Sequence, residues 1–157
     1  MERILGIDPG SRITGYGVVD AAPGRLQFVA CGTIRTNTKR SLAYRLNEIF
    51  EGINEVIQLH NPVVAAVEDV FLSSNPSSAL KLGHARGAAV VAAMQNGLDS
   101  NDYSARAVKQ AVAGYGQADK SQVQHMVRVL LGLSASPSAD AADALAVAIC
   151  HSNQFRF

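Results

Sequence analysis

The sequence predicts an α/β fold built on a mixed five-stranded sheet flanked by helices. Three strand-like segments joined by short turns come first, two more strand candidates each follow a helical segment, and three helical segments end the chain. Strands joined by short turns pair antiparallel, whereas strands that return through a helix run parallel. A chain of 157 residues fits one domain, and we expect that domain to span residues 1–157.

The first three segments predict an antiparallel meander. Residues 3–8 form a short apolar run that ends in Asp-Pro-Gly. Residues 14–20 and 26–36 are rich in β-branched and aromatic residues, and an Ala-Pro-Gly turn separates them. The first run has no polar alternation, so we expect a central strand there.

Helical and strand-like patterns then alternate. Apolar residues at helical spacing predict a helix over 41–59, with Ser41 as its cap. The apolar run 63–68 predicts a strand buried on both faces. A second helix is expected from Ser77 to Asn96, opened by Asn-Pro and closed by Asn-Gly.

The remaining segments complete the element order. A short, weak strand candidate lies near Asp102 and Tyr103. Helices are expected at about 104–112 and 119–131, and a last helix begins at Ser138 and runs to about residue 152. The full order is three strands, a helix, a strand, a helix, a strand and three helices, which predicts helices covering the sheet.

One helix carries a stripe of small residues. Ala79, Gly83, Gly87 and Val91 recur every four residues and therefore share a face. A stripe of this kind permits close approach by another backbone, either the protein's own sheet or a partner helix. We favour a contribution to a dimer interface.

Composition limits the class of protein. Apolar residues make up 48% and charged residues 17%, which is typical of a globular protein. The apolar run before Asp8 is too short for a secretory signal, and the stretch GAAVVAAM is too short to cross a bilayer. Cys31 and Cys150 show neither CxxC spacing nor a disulfide framework. We therefore expect a cytoplasmic protein without a membrane segment.

Net charge alone does not decide whether the partner is a nucleic acid. The formal charge is only +1, but four of the thirteen acidic residues are candidates for a single metal site. Bound metal ions would raise the effective charge of the chain. Total charge neither supports nor excludes DNA binding.

Two carboxylates stand at the ends of the two most apolar strand candidates. Asp8 follows the first run and Glu68 ends the run 63–68. Taken alone, Asp8 also fits an Asp-Pro-Gly turn, and Glu68 fits a solvated strand end. If the two strands run parallel in the centre of the sheet, their ends lie together and the two carboxylates meet.

Two more carboxylates begin the last helix. Asp140 and Asp143 are three residues apart in SADAADALAVAI, so they share one face of its first turn. Acids here also complement the helix dipole, which is the alternative explanation. The alanine-rich surroundings indicate close packing on the sheet, with both acids at the edge of that packing.

This donor set favours Mg²⁺. Carboxylate oxygens suit a hard cation, and phosphodiester hydrolysis commonly uses two such ions. The four histidines show no zinc-like pairing, and neither a Gly-x-Ser-x-Gly elbow nor a Cys-His pairing indicates covalent catalysis.

Several segments together resemble a known family. The segments ILGIDPGSRITGYGVV, SALKLGHARGAAVVAAM, VKQAV, DKSQVQHMV and DAADALAVAI resemble, in this order, the RuvC Holliday junction resolvases. The resemblance implies an RNase H-like fold, a two-fold homodimer, and Mg²⁺ held by four acids. Those acids match Asp8, Glu68, Asp140 and Asp143, with two ions in each subunit and Mn²⁺ as a substitute.

The resemblance also implies an activity and partners. The activity is symmetric nicking of four-way junction DNA during recombination and repair, in association with a RuvA–RuvB branch-migration complex. Lys109 and Lys120 match basic residues that the family uses near the scissile strand, although each also fits a solvated surface lysine. Phe71 matches an aromatic residue that inserts into the junction, but most phenylalanines are buried.

Other DNA contacts rest on weaker grounds. Arg12, Lys81 and Arg86 are expected to contact phosphates. Four positions depart from the family pattern and bear on DNA contacts and sequence preference, namely Asp69, Ser73, Ser74 and His84.

Three alternative functions compete with junction resolution. An ATP-dependent phosphotransferase uses a similar Asp- and Gly-rich hairpin, but it closes two such domains around its nucleotide. A non-catalytic junction-binding protein would use the acids as caps and turns. An RNase H-like nuclease of relaxed selectivity is the third alternative.

Overall fold

Five strands form one mixed sheet in the computed structural model, which describes residues 1–69 and 75–155. The strands are β1 (Glu2–Asp8), β2 (Ile13–Ala22), β3 (Arg25–Arg35), β4 (Val64–Glu68) and β5 (Asp99–Tyr103). Their order across the sheet is β3-β2-β1-β4-β5. The predicted mixed sheet is therefore confirmed.

The direction of each strand follows from its connection. β1, β2 and β3 are joined by short turns and pair antiparallel, and the turn between β2 and β3 uses Gly24 at a φ of 70°. β4 and β5 each return through a helix and run parallel to their neighbours. As a result, β1 and β4 lie side by side in the centre of the sheet and end at the same edge.

Five α-helices cover the described parts of the sheet. They are α1 (Leu42–His60), α2 (Pro76–Gln95), α3 (Ala105–Ala113), α4 (Lys120–Leu131) and α5 (Ala139–Ser152), which is followed by a 3-10 turn (Asn153–Phe155). Ser41 caps α1, as predicted, and Ser138 caps α5.

The helices divide between the two faces of the sheet. Ile4 of β1 packs in one core with the buried side chains of α3, α4 and α5. Leu5 and Ile7 of the same strand pack in a second core with α1 and α2. β1 is thus buried on both faces, which explains its unbroken apolar sequence.

The last strand is longer than the sequence predicts. β5 runs from Asp99 to Tyr103, longer than the short candidate near Asp102, although its sequence is polar. It pairs with β4 over all five residues at the edge of the sheet, where half-exposed polar side chains are tolerated.

Among the helices that the structure describes, none combines the length and apolar character needed to span a bilayer.

Candidate active site

Asp8 and Glu68 lie together at one edge of the sheet. Asp8 is the last residue of β1 and Glu68 is the last residue of β4. The register pairs Ile7 with Val67, so the next residue of each strand brings the two carboxylates to adjacent positions. The predicted meeting of these two acids is present in the structure.

Close packing of α5 on the sheet adds the other two acids. A β-carbon on Gly15 would lie 2.0 Å from the backbone oxygen of Asp140, and one on Gly6 would lie 2.0 Å from that of Ala144. Only glycine permits this approach. The first turn of α5 therefore sits directly over β1 and β2, and it carries Asp140 and Asp143 to the ends of the central strands.

The electrostatics of Asp8 reflect this crowding. Burial, together with the charges of Glu68, Asp143 and Asp140, raises the pKa of Asp8 to about 8. Asp8 also donates a hydrogen bond to Glu68 in its protonated form. The carboxylates are thus close enough to oppose one another's ionisation in the absence of a cation.

Glu68 and Asp143 share that environment, but lysines moderate it. Burial raises the pKa of Glu68, while the hydrogen bond from Asp8 and the charges of Lys120 and Lys109 lower it. Burial also raises the pKa of Asp143, against the effect of Lys120, whose Nζ lies 3.1 Å from Asp143 Oδ2. The site therefore combines four acids with two cations at its margin.

A cleft opens beside these groups. Its volume is about 290 Å³, and it passes between the sheet, α3, α4 and α5. Glu68, Asp143, Lys109 and Lys120 supply its polar lining, whereas alanine and valine side chains of the three helices supply its apolar walls. Lys109 and Lys120, predicted from two separate sequence segments, thus reach the same cleft as the acids.

The donor set fits a divalent cation in chemistry, but the side chains are not preformed around one. Four carboxylates are the hard, anionic ligands that Mg²⁺ takes, and burial raises the pKa of Asp8, Glu68 and Asp143 among them. Within residues 1–69 and 75–155, no three His, Cys, Asp or Glu side chains are arranged to hold a metal ion. Two of these acids are engaged with other groups, since Asp8 donates a hydrogen bond to Glu68 and Asp143 pairs with Lys120.

The other predicted DNA contacts differ in their surroundings. Arg12 and Lys81 are exposed. Arg86 is only 22% exposed, and its guanidinium pairs with Asp102 and, at 3.7 Å, with Asp69. Phe71 lies outside the described residues.

Sequence reasoning missed the side chains that hold the turn after Asp8. The Arg45 Nη2 atom donates to the backbone oxygen of Ser11 at 2.7 Å, and the Thr36 hydroxyl donates to the same oxygen, also at 2.7 Å. The Thr14 hydroxyl donates a hydrogen bond to the backbone oxygen of Gly10 and accepts one from the backbone N–H of the same residue. The glycines under α5 were also missed as packing positions, although their i, i+2 recurrence in TGYG places them on one face of β2.

The fold and the site together define the class of protein. Three antiparallel strands, two parallel strands returning through helices, and acids grouped at the ends of the central strands make this an RNase H-like nuclease fold.

Comparison with known proteins specifies the family. The family model "Crossover junction endodeoxyribonuclease RuvC" matches residues 4–151. The RuvC proteins of Tolumonas auensis and Pseudoalteromonas atlantica are 56% and 57% identical to this chain, each over 98% of it and 88% of the relative. A T. thermophilus RuvC solved in complex with a Holliday junction substrate superposes with a TM-score of 0.93 at 35% identity, covering 99% of this chain and 96% of that one. The chain belongs to the RuvC family of crossover junction endodeoxyribonucleases.

Family membership confirms the main sequence-based predictions. The fold, the endonuclease activity and the family itself are as predicted, and membership of this nuclease family implies dependence on a divalent metal. The ATP-dependent phosphotransferase is excluded, because the match to a nuclease family covers nearly the whole chain.

Proposed function

We propose that this protein resolves Holliday junctions by hydrolysing one phosphodiester bond in each of two symmetry-related strands, in homologous recombination and DNA repair. The grouping of Asp8, Glu68, Asp140 and Asp143 at one edge of the sheet carries the proposal. The relative from T. thermophilus, solved with a junction substrate, supports four-way DNA as the substrate of this chain too.

Asp8, Glu68, Asp140 and Asp143 would hold Mg²⁺, with two ions in each subunit and Mn²⁺ as a substitute. When bound, such ions activate water and stabilise charge on the leaving oxygen. The chain's own acids supply oxygen ligands, and Asp8 releases its proton as it becomes one of them.

Lys109 and Lys120 contribute to DNA binding. Both line the cleft beside Glu68 and Asp143, where the scissile phosphate must come. Their ammonium groups provide positive charge for the phosphate oxygens. The alanine and valine walls of the cleft exclude water around these charges and so strengthen their interaction.

A homodimer is proposed, with the exposed face of α2 in its interface. The buried face of α2 carries Ala85, Ala89, Ala92 and Ala93, whereas a β-carbon added at Gly83 or Gly87 would meet no other element within 4 Å among residues 1–69 and 75–155. The protein's own sheet is therefore not the partner of this stripe. Val91 of the stripe is 52% exposed, and Leu80 and Met94, which flank it, are 67% and 54% exposed, which leaves a partner helix as its natural cover.

The dimer gives the two-fold symmetry that paired cutting requires. An isologous dimer presents two identical sites to a four-way junction, so each subunit cuts one strand. Gly87→Glu would place a charge in the proposed interface and yield a monomer by light scattering. A Gly87→Glu variant that remains dimeric would remove α2 from the interface.

Phe71 and the positions around it concern selectivity. We assign Phe71 as a wedge that stacks on an unpaired junction base, next to the departures at Ser73 and Ser74. Phe71→Ala should impair junction cutting while leaving the melting temperature unchanged. A loss of about 3–5 kcal/mol in stability would instead identify a core residue.

The wider setting of the activity is also a proposal. The RuvA–RuvB branch-migration complex is the proposed partner, and the cytoplasm is the proposed compartment. Cys31 and Cys150 are both free thiols, which is compatible with a reducing environment.

The decisive experiment compares a four-way junction with linear duplex, each with Mg²⁺ and with EDTA. Mg²⁺-dependent cutting of the junction at paired positions, leaving 5′-phosphate and 3′-hydroxyl ends that a ligase rejoins, is expected. Junction binding without cutting would favour the non-catalytic alternative. Equal cutting of duplex would favour a nuclease of relaxed selectivity.

A further inference from the structure

Lys120 holds a position among the carboxylates that its own helix does not explain. Its Nζ lies 3.1 Å from Asp143 Oδ2, although 62% of its side chain is exposed. Lys120 is the first residue of α4, where the helix dipole disfavours a cation. The Asp119 side chain caps α4 by accepting a hydrogen bond from the backbone N–H of Gln122, so Lys120 contributes nothing to that cap.

The attraction that holds Lys120 comes from the acid cluster as a whole. The contact with Asp143 is the main cause that raises the pKa of Lys120, and the charges of Asp8 and Asp140 raise it further. Lys120 also opposes the rise in the pKa of Glu68. A single ammonium group therefore interacts with every member of the cluster.

Lys109 provides a contrast within the same cleft. It lines the cleft and lowers the pKa of Glu68, yet it forms no ion pair with an acid among the residues that the structure describes. The two lysines thus line the same cleft, but only Lys120 is paired with one of the four acids.

We propose that Lys120 is an exchangeable internal cation, which binds Asp143 in the metal-free protein and releases it when a divalent ion enters the cleft. The inference rests on the proposed function of the four acids as metal ligands. It accounts for the arrangement of the cluster, in which no three acids converge on one point while Asp143 is occupied by an ammonium.

Release of Lys120 would couple metal binding to DNA binding. The ammonium group stands on a flexible four-carbon stem at the mouth of the cleft, so it remains close to the site after leaving Asp143. Freed from its carboxylate, it becomes a donor for a phosphate of the bound strand. The metal-free protein therefore keeps Lys120 from the DNA, and metal makes it available.

Mg²⁺ binding without DNA tests the exchange, because removal of a competing cation tightens metal binding. Titration calorimetry should compare wild type with Lys120→Met, with Lys109→Met as the matched control and Lys120→Arg as a variant that keeps the charge. Lys120→Met should lower the Mg²⁺ dissociation constant about three- to fivefold, the range available to an exposed ion pair. Lys109→Met should lower it by less than half of that factor, and Lys120→Arg should bind as wild type does.

Three results would overturn the proposal in distinguishable ways. Equal tightening by Lys109→Met and Lys120→Met would show general charge repulsion and no exchange. Tightening by Lys120→Arg as large as that by Lys120→Met would show that the charge is not the cause. Wild-type Mg²⁺ binding that survives Asp8→Asn unchanged would remove the metal site itself, and the proposed function with it.

Discussion

Two aspartates at opposite ends of the β1–β2 pair show how the same side chain serves different purposes. Asp8 ends β1 and Asp20 lies near the end of β2, and both are half-buried. Asp20 receives two bonds from the guanidinium of Arg3, at 2.8 and 2.9 Å, and this contact lowers its pKa. Asp8 has three acids as neighbours, and burial among them raises its pKa to about 8.

The comparison separates a structural acid from a functional one. Arg3 also donates to the backbone oxygen of His60, so the Asp20 pair ties the sheet to the end of α1. Asp8 donates its hydrogen bond to Glu68 only when protonated, and its ionisation opposes folding until a cation arrives. Active sites commonly store a cost of this kind, whereas structural ion pairs are satisfied within the fold.

The largest expected difference is in cleavage. Asp8→Asn, Glu68→Gln, Asp140→Asn and Asp143→Asn should each lower junction cleavage about a hundredfold or more, because a lost first ligand costs at least as much as a lost supporting contact. Junction binding should persist, since phosphate contacts supply most of the affinity.

Asp20→Asn is the matched control for these variants. It should cleave at the wild-type rate within about twofold and lose about 0.5–1 kcal/mol of stability, the range for a partly exposed ion pair. Gel assays of cleavage and binding on the same junction measure both quantities. Wild-type cleavage by any of the four amide variants would remove that residue from the site.

The contrast between paired and unpaired charges extends to the arginines, with a smaller effect. Arg12 is exposed and forms no ion pair among the described residues, whereas Arg86 is committed to Asp102 and Asp69. Arg12→Met should reduce the slope of log affinity against log salt by about 1, the value for one lost phosphate contact. Arg86→Met should leave the slope unchanged and lower the melting temperature.

Junction binding measured across a salt series distinguishes these outcomes. A reduced slope for Arg86→Met would support the sequence-based prediction that this residue contacts DNA. An unchanged slope for Arg12→Met would withdraw the same prediction for Arg12.

A still smaller effect appears in the pH dependence of metal-free stability. The raised pKa of Asp8 contributes stability below pH about 4 that is lost as pH rises through about 8. The lowered pKa of Asp20 has the opposite sign, because its contribution is present above pH about 4 and is lost on acidification. Opposite trends are therefore expected for the two aspartates.

Melting in EDTA from pH 5 to 8.5 measures these trends. Between pH 5 and 8.5, the melting temperature of Asp8→Asn should fall by about 2–4 °C less than that of wild type. This is the shift expected for about 1 kcal/mol in a chain of this size. The decline should persist in part, because Glu68 and Asp143 also have raised pKa values. Asp20→Asn should keep the full wild-type decline, and an unchanged decline in Asp8→Asn would contradict the assigned environment of Asp8.

Sequence periodicity was sufficient to predict the order of the elements and the positions of the four acids at strand ends and in the first turn of a helix. Strand ends and helix starts are local features, so Asp8, Glu68, Asp140 and Asp143 could be located before their contacts were visible. β5 was under-predicted because an edge strand draws its hydrogen bonds from β4 and needs no apolar pattern of its own.

Contacts between distant segments were beyond sequence reasoning. Arg86 was assigned to DNA because its charge is visible in the sequence, whereas its pairing with Asp102 depends on how α2 crosses β5. Lys120 and Asp143 are likewise paired only because α4 packs against α5. The roles of Gly6 and Gly15 required the same tertiary information.

Thermal melting of wild type, Asp143→Asn and Asp20→Asn, each in EDTA and in Mg²⁺, tests the central claim most directly. In EDTA, the free energy of unfolding of Asp143→Asn should equal that of wild type or exceed it by up to about 0.5 kcal/mol. The variant no longer buries a charge or repels Asp140, and these gains outweigh the lost Lys120 contact and dipole term. Asp20→Asn should melt below wild type. Mg²⁺ at about ten times its dissociation constant should raise the melting temperature of wild type and Asp20→Asn by about 3–5 °C, and that of Asp143→Asn by less. If Asp143→Asn melts well below wild type in EDTA, or keeps the full response to Mg²⁺, Asp143 is a structural acid and the four-carboxylate site is wrong.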